Sequence, residues 1–354
     1  MAAADPSQKS VSVLRRRWRK FRTLKRGWYS LIAICVMYVL SLLAPLYMTN
    51  RAWIVKYEGD YYFPVLSGRH EAKEFGQKRI GEANYRVLKQ DFAAQEGGEN
   101  WVLLAPYAYH PNESLMRELD GEPPHPPSGE HWLGTDNRGR DVLARLVYGF
   151  RISLTFALGV VLLSYTLGMA VGAILGFFGG KVDIFGQRLV EIWSGLPFLY
   201  TVIIVSSIIR PGMWILILLL AAFGWMSISM YMRGEFYREK AKDYVAAAIA
   251  QGDSNRSIMF RHILPNSLTP LISFAPFAIV GAISSLVSLD FLGFGLPAPT
   301  PSWGEMVGQG LDNIFKWHLV IFPLSALFAT LMMVVFIGEA IREAFDPKVF
   351  SRLR

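Results

Sequence analysis

No phosphate-binding loop of the G-x-x-x-x-G-K-[ST] kind occurs in the chain; Gly180-Lys181 lacks the upstream glycine and is followed by Val182. Also missing are H-E-x-x-H, G-x-S-x-G, a C-x-x-C pair and G-x-G-x-x-G, and His70-Glu71 has no second histidine four residues on. These gaps argue against a catalytic set, a bound cofactor or a metal centre in this chain. Energy for any pumping then has to come from another chain or from an ion gradient. Cysteine is nearly absent too. Cys35 stands alone, which rules out an intrachain disulfide and leaves any external segment to be stable without crosslinks. Charge is scarce, at 18% of 354 residues against 52% hydrophobic, a balance that a soluble domain of this length rarely carries.

The apolar residues fall in long blocks. Six stretches are long enough to cross about 30 Å of hydrocarbon, near Trp28–Met48, Ile152–Phe178, Leu189–Ile209, Met213–Met232, Ser267–Leu289 and His318–Ile341. Ser194-Gly195 and Pro197 interrupt the third. The expected architecture is an all-α integral membrane protein of six transmembrane helices, with lipid as solvent and a small mixed external segment between helices 1 and 2.

The net charge of +8 is unevenly placed: nine Lys or Arg lie in the first 27 residues, with Asp5 the only acid there. Such a block before a first span holds the N-terminus in the cytoplasm, and the aromatic residues among it belong to the membrane interface, so nucleic acid is not an expected partner. The apolar run that follows is too long for a secretory signal and has no Ala-x-Ala site after it. Arg342, Lys348, Arg352 and Arg354 put the C-terminus on the same side. The expected organisation is a basic cytoplasmic segment 1–27, a first span 28–48, a periplasmic segment 49–150, a core 151–345 with a cytoplasmic loop at 233–266, and a cytoplasmic tail 346–354.

Within 49–150, alternation such as Trp53-Ile54-Val55-Lys56-Tyr57 predicts short strands, while Ala72–Gln95 is charged and more helix-like. Its aromatic residues argue for order up to the proline cluster at Pro123, Pro124, Pro126 and Pro127. Its role is either contact with a substrate-delivering protein or an inert cap. Asp136 and Asp141 follow, crowded by Arg138 and Arg140 with no His or Glu at ligand spacing, so they are expected to order turns rather than do chemistry. Gly168, Gly172 and Gly176 share one helix face and predict close helix packing, internal by default and against a second subunit as the alternative. Ionisable groups near hydrocarbon are costly, which singles out Glu191 and Asp290. Glu191 has Arg188 or the interface within reach. Asp290, and with it Trp303, is a candidate for the translocation pathway or a gate; an Asp capping a turn is the alternative.

The stretch from Asp243 to Asn266, DYVAAAIAQGDSNRSIMFRHILPN, is a polar loop between apolar runs. Ala246, Ala247 and Ala248 favour a short helix with little bulk, which another protein can approach closely. Gly252 allows a sharp exit, and Pro265 is expected to restart the chain before the next span. The spacing Ala-Ala-x-x-x-Gly, then nine residues, then His262-x-Leu264-Pro265, is similar to the EAA loop of bacterial ABC-importer permeases. Four further stretches agree in order: Leu133-Gly134-Thr135-Asp136 with Gly139-Arg140-Asp141, Phe177–Asp183, Phe291–Gly295 with Pro301–Gly304, and Gly338–Pro347. Together they resemble the oligopeptide/dipeptide branch. The opening of the external segment, Val55–Pro64, is most similar to its Yej-type members, whose systems import oligopeptides and, in enteric bacteria, the peptide-nucleotide antibiotic microcin C.

That resemblance implies the ABC type I importer permease fold in the bacterial inner membrane. It implies a heterodimer with a second permease subunit, a cytoplasmic ABC ATPase that carries the ATP-Mg, and a periplasmic peptide-binding protein. Tyr244, Val245, Ala246, Ala247, Ala248, Gly252, Arg261, His262 and Pro265 would then couple to the ATPase. One departure stands out: the glutamate that names the loop falls at Ala246. The rival readings are an ion-driven secondary transporter, which predicts inverted repeats and mid-membrane charges not seen here, and a membrane enzyme, for which no clustered catalytic set exists.

Overall fold

The computed structural model describes residues 13–95 and 98–345. Residues 1–12 of the basic segment and the tail 346–354, with Lys348, Arg352 and Arg354, lie outside the described residues. In chain order the elements are α1 (Val13–Thr23), α2 (Lys25–Tyr47), β1 (Ala52–Tyr57), β2 (Asp60–Tyr62), α3 (Pro64–Ser67), α4 (Tyr85–Ala94) and β3 (Trp101–Leu104). The helices α5 (Val142–Phe178), α6 (Gly180–Ser194), α7 (Phe198–Ile208), α8 (Met213–Lys240), α9 (Asp243–Ala250) and α10 (Asn255–Ser257) follow. The chain ends with α11 (Leu264–Phe291), α12 (Trp303–Asp312) and α13 (His318–Phe345).

Five helical stretches among the described residues are long and apolar enough to span a membrane: Lys25–Tyr47, Val142–Phe178, Met213–Lys240, Asn255–Phe291 and His318–Phe345. The third expected span is a broken one. α6 and α7 are bent by 69° across Gly195-Leu196-Pro197, because proline cannot continue the hydrogen-bond ladder of the helix before it. Counted as one, the pair brings the total to six. Several helices outrun their apolar blocks. α5 begins at Val142, inside the expected segment 49–150, because Asp141 caps it by accepting from the Ala144 N–H at 2.8 Å. α8 continues to Lys240, past the expected end at Met232, since hydropathy marks hydrocarbon and not the helix.

The chain forms two compact units. One gathers Val36–Leu154 and Leu286–Leu327. Its external part is a three-stranded antiparallel sheet in the order β2-β1-β3, with Val55 opposite Tyr62 on one side and Val102 on the other. The inward face of β1 and the apolar stripe of α4 (Tyr85, Leu88, Phe92) bury a common core with Phe75 and Val102. Tyr57 stacks on Phe92 with ring centroids 5.7 Å apart. Asn84 caps α4, accepting from the N–H groups of Arg86 and Val87 at 3.1 and 3.2 Å. This core explains how a segment without disulfides holds its shape.

The other unit gathers the described residues up to Cys35, Thr155–Ser285 and the described residues from Phe328 onward. Its seam is the small-residue face of α5 on α8. A Cβ on Gly168 would lie 2.6 Å from the Trp225 carbonyl, and one on Gly176 2.6 Å from the Arg233 carbonyl. A Cβ on Gly172 would fall 2.8 Å from the Met232 Cβ. The face is filled by this chain's own α8, and backbones this close leave room for nothing larger than hydrogen. α1 lies on the same unit: Arg17 donates to Thr269 at 3.2 Å with its guanidinium 4.7 Å over the Phe345 ring, and Lys20 donates to the Glu343 carbonyl at 3.0 Å.

Candidate functional site

The polar turn between α8 and α11 belongs wholly to the second unit. α9 covers Asp243–Ala250, and its sequence sorts into two faces. Val245 and Ala248 are buried in a core with Ala173, Phe177, Met232, Phe236, Ile258 and Ile263. Ala246, Ala247, Ile249 and Ala250 face outward, Ile249 at 57% exposure. The helix is therefore fastened along one stripe and offers on the other a face of small residues with the exposed carboxylate of Asp243 at its start. Ala246, where the glutamate of the EAA pattern would stand, lies on that open surface.

Gly252 ends the helix with φ +82, and a Cβ there would meet nothing within 4 Å. The glycine is required by its left-handed backbone and not by crowding. Ser254 then starts a new helical stretch, accepting from the Ser257 N–H at 3.3 Å. Pro265 does not restart the chain. Residues Ile258–Ile263 form a π-turn in which the Leu264 N–H reaches back to the Met259 carbonyl, and helix runs on into α11. The wider turn adjusts the ladder just ahead of a residue that has no N–H to give.

Buried polar groups hold the turn at its entry. Glu239 on α8 accepts from Tyr244 Oη at 2.9 Å and from Lys242 Nζ at 2.7 Å. Burial, and then the neighbouring Glu239, push the Tyr244 hydroxyl pKa above its usual value, so it stays protonated and donates. Lys240 Nζ donates to the Phe177 carbonyl at 2.5 Å, while Arg233 and Tyr237 both bond Asp183 at the start of α6. Across the exit, His262 Nε2 meets Asp253 Oδ2 at 2.8 Å, closing the loop on itself. Asn266 donates to the His262 carbonyl at 2.9 Å. Arg261 and Phe260 are exposed on the π-turn beside these groups, Phe260 at 64%. Sequence reasoning missed Glu239, Asp253, Ile249 and Phe260. The signal for Glu239 was present: an acid in the basic run Arg238-Glu239-Lys240-Ala241-Lys242 calls for a partner nearby.

Asp290 and Trp303 sit in the first unit, each tied to its own surroundings. Asp290 Oδ1 accepts from the Leu296 N–H at 2.7 Å and Oδ2 from Ser302 Oγ at 2.6 Å. Ser302 in turn caps α12 by accepting from the Glu305 N–H at 3.1 Å. The Trp303 indole is buried and donates to the Leu146 carbonyl at 3.1 Å. Beside them lies a buried ionic cluster that the sequence reading only half anticipated. Asp136 accepts from the N–H groups of Arg138 and Arg140, each at 2.9 Å, and from Arg140 Nε at 2.7 Å. Glu305 joins Arg140 at 3.1 Å and the fully buried Arg145 at 2.5 Å. Asp141 takes the Tyr107 hydroxyl at 2.7 Å and His131 Nδ1 at 2.9 Å. Burial depresses the Arg140 pKa, but the ion pairs with Asp136 and Glu305 outweigh it and raise the net value. Arg145 and Glu305 are 160 residues apart, which no spacing rule reveals. Glu191 pairs with exposed Arg188 at 2.5 Å.

Among the described residues no group of three or more His, Cys, Asp or Glu is placed to hold a metal ion. The arrangement at α9 combines small apolar groups on an open face, a rigid buried stripe, flanking cations and the exposed carboxylate of Asp243.

Comparison with known proteins gives consistent results. The family of binding-protein-dependent transport system inner membrane components matches residues 168–351. The inner membrane ABC transporter permease protein YejE of Escherichia coli (strain K12) is 42% identical over 334 residues, covering 94% of this chain and 96% of that protein. The peptidoglycan transport system permease protein YejE of Agrobacterium fabrum is 36% identical, covering 94% and 93%. The dipeptide transport system permease protein DppC of Bacillus subtilis is 35% identical, over 67% of this chain and 74% of that one. A chain of the MetNI methionine ABC transporter covers 57% of this one at 16% identity with a TM-score of 0.46, a likeness too slight to argue from.

Proposed function

The chain belongs to the family of binding-protein-dependent transport system inner membrane components, and on that premise we propose that it forms half of the translocation pathway of a peptide importer. It is a membrane-embedded permease subunit of an ABC-type importer, and it resembles non-catalytic subunits along nearly its whole length. ATP-Mg is bound and hydrolysed by a separate cytoplasmic ATPase, and this chain binds no cofactor itself. A second permease subunit completes the pathway, and a periplasmic binding protein delivers the cargo. Both termini lie in the cytoplasm, with α9 on the same side.

The observation that carries the coupling role is the two-faced α9, fastened by Val245 and Ala248 and open at Ala246, Ala247 and Ile249. A helix face of small residues on a short turn fits a cleft in another protein, and the buried stripe passes a push on that helix to α5 and α8. Closure of the ATPases on ATP moves α9, and the spans rock between inward- and outward-facing states. The assignment of peptide cargo is supported by the names of the relatives, among them dipeptide and oligopeptide permeases. A second reading, peptidoglycan fragments, is favoured by the assignment of the Agrobacterium fabrum relative.

Purification of this chain in mild detergent, with partners identified by mass spectrometry, tests the assembly. Stoichiometric recovery of an ATPase and a second permease is expected, with the ATPase lost from Gly252→Val. A stable complex without any ATPase would turn the reading toward an ion-driven transporter. Competition for uptake between oligopeptides and peptidoglycan-derived peptides separates the two cargo readings.

A further inference from the structure

The short helix α1 and the start of α2 carry charge of one sign only. Between Val13 and Gly27 eight residues are Lys or Arg, and none is Asp or Glu. Helical spacing divides those of α1 into two sets. Arg17, Lys20 and Phe21 turn toward the protein. Arg17 donates to Thr269 of α11, Lys20 Nζ lies 3.6 Å from the Glu343 carboxylate of α13, and Phe21 is buried. Gly27 follows, buried against Phe336 and Ala340 of α13. Arg15, Arg19 and Arg22, four and three residues apart, share the opposite face, and all three are exposed.

The aromatic residues fix the depth of this face. Trp18 stacks on Phe21 with ring centroids 5.6 Å apart and meets Trp28 edge-on at 5.8 Å. Trp28 opens the apolar block of α2, and the Arg22 guanidinium lies 5.1 Å over its ring. An indole at the end of a span settles at the level of the lipid headgroups, where its apolar body and its N–H are both satisfied. Trp18 beside it, 50% exposed, is at that same level. α1 thus has the make-up of a helix lying in the plane of the interface, with cations on one face and aromatic rings at its border.

We propose that the face formed by Arg15, Arg19 and Arg22 binds the headgroups of anionic phospholipids in the leaflet where α2 begins. Charge complementarity selects the occupant. Each guanidinium offers a fork of N–H donors that fits a phosphate, and no carboxylate on α1 repels one. A zwitterionic headgroup brings an ammonium that the arginines repel, whereas phosphatidylglycerol brings none. The depth selects lipid over a soluble polyanion, because the cations stand beside the rings that mark the interface. Arg17 and Lys20 hold the other side of α1 to α11 and α13, so lipid bound here ties two spanning helices to the bilayer surface. The identity of the cargo does not enter.

The test uses the complete transporter in proteoliposomes. Thr23→Cys, exposed at the end of α1, is labelled with bimane in a background otherwise free of cysteine, Cys35→Ser in this chain. Nitroxide-labelled phosphatidylglycerol or nitroxide-labelled phosphatidylcholine is added as quencher to bilayers of unlabelled phosphatidylcholine. Phosphatidylglycerol is expected to quench at the lower mole fraction, and this preference is expected to shrink as salt is raised. Arg19→Gln with Arg22→Gln is expected to reduce the preference about fivefold for each cation removed, while Arg19→Lys with Arg22→Lys keeps most of it. Equal quenching by the two lipids in the parent would overturn the proposal. Quenching by neither would overturn it too, and would give the face to water or to a partner protein. A preference unmoved by the glutamine pair would take the site away from these residues. If the glutamine pair does not fold, the salt series on the parent decides, and a preference independent of salt would contradict the proposal.

Discussion

The buried ionic cluster of the first unit and the α9 turn of the second are held in different ways. Around Asp136, Asp141 and Glu305 the first unit draws together arginines, a histidine, a tyrosine and backbone N–H groups from segments more than a hundred residues apart. The turn from Asp243 to Asn266 in the second is held by partners close in sequence, Glu239 with Tyr244 and Asp253 with His262, and it pivots on one left-handed glycine. A long-range network fixes geometry, because no member can move without stranding another in a low dielectric. A short-range one permits the turn to shift as a piece. The first arrangement suits a frame and the second suits a part that transmits motion.

The comparison is broken most severely by Glu305→Ala. It leaves the buried Arg145 with only the longer contact to Asp136 at 3.6 Å, and the variant is expected to lose about 3–5 kcal/mol, read as a large drop in thermal unfolding temperature in detergent. A cut of that size in the α9 turn from any single substitution would erase the distinction. Next comes the seam of α5 and α8. Gly172→Val forces a side chain against Met232 and is expected to cost about 1–3 kcal/mol, with reduced yield of folded protein in the membrane.

Gly252→Val sharpens the contrast. Its cost is the left-handed backbone alone, about 1–2 kcal/mol, so the unfolding temperature should move little while ATP-driven uptake falls steeply. Uptake that survives in step with stability would count against a transmitting role. The smallest effect is expected from Ala246→Ser, on the open face of α9, within about 0.5 kcal/mol of the parent in stability.

Much of this was legible in the residues. Long apolar blocks gave the spans, the alternation around Val55 gave the sheet, and the Ala-Ala-x-x-x-Gly spacing gave both the short helix and its left-handed exit. What the sequence concealed has physical reasons. The partners of Arg145 are set by the fold and not by spacing. The helices α5 and α8 continue beyond their apolar blocks because capping and ion pairs at their ends favour helix as much as hydrocarbon does. Pro265 reads as a break, yet a π-turn just ahead of it lets the helix continue.

The most direct measurement is thiol reactivity of Ala247→Cys in a Cys35→Ser background, with the ATPase bound and after it is stripped away. Strong protection in the assembled transporter, lost on stripping and altered by ATP, is the predicted result. Equal reactivity in every state would show that the open face of α9 touches no ATPase, and would contradict the account at its centre.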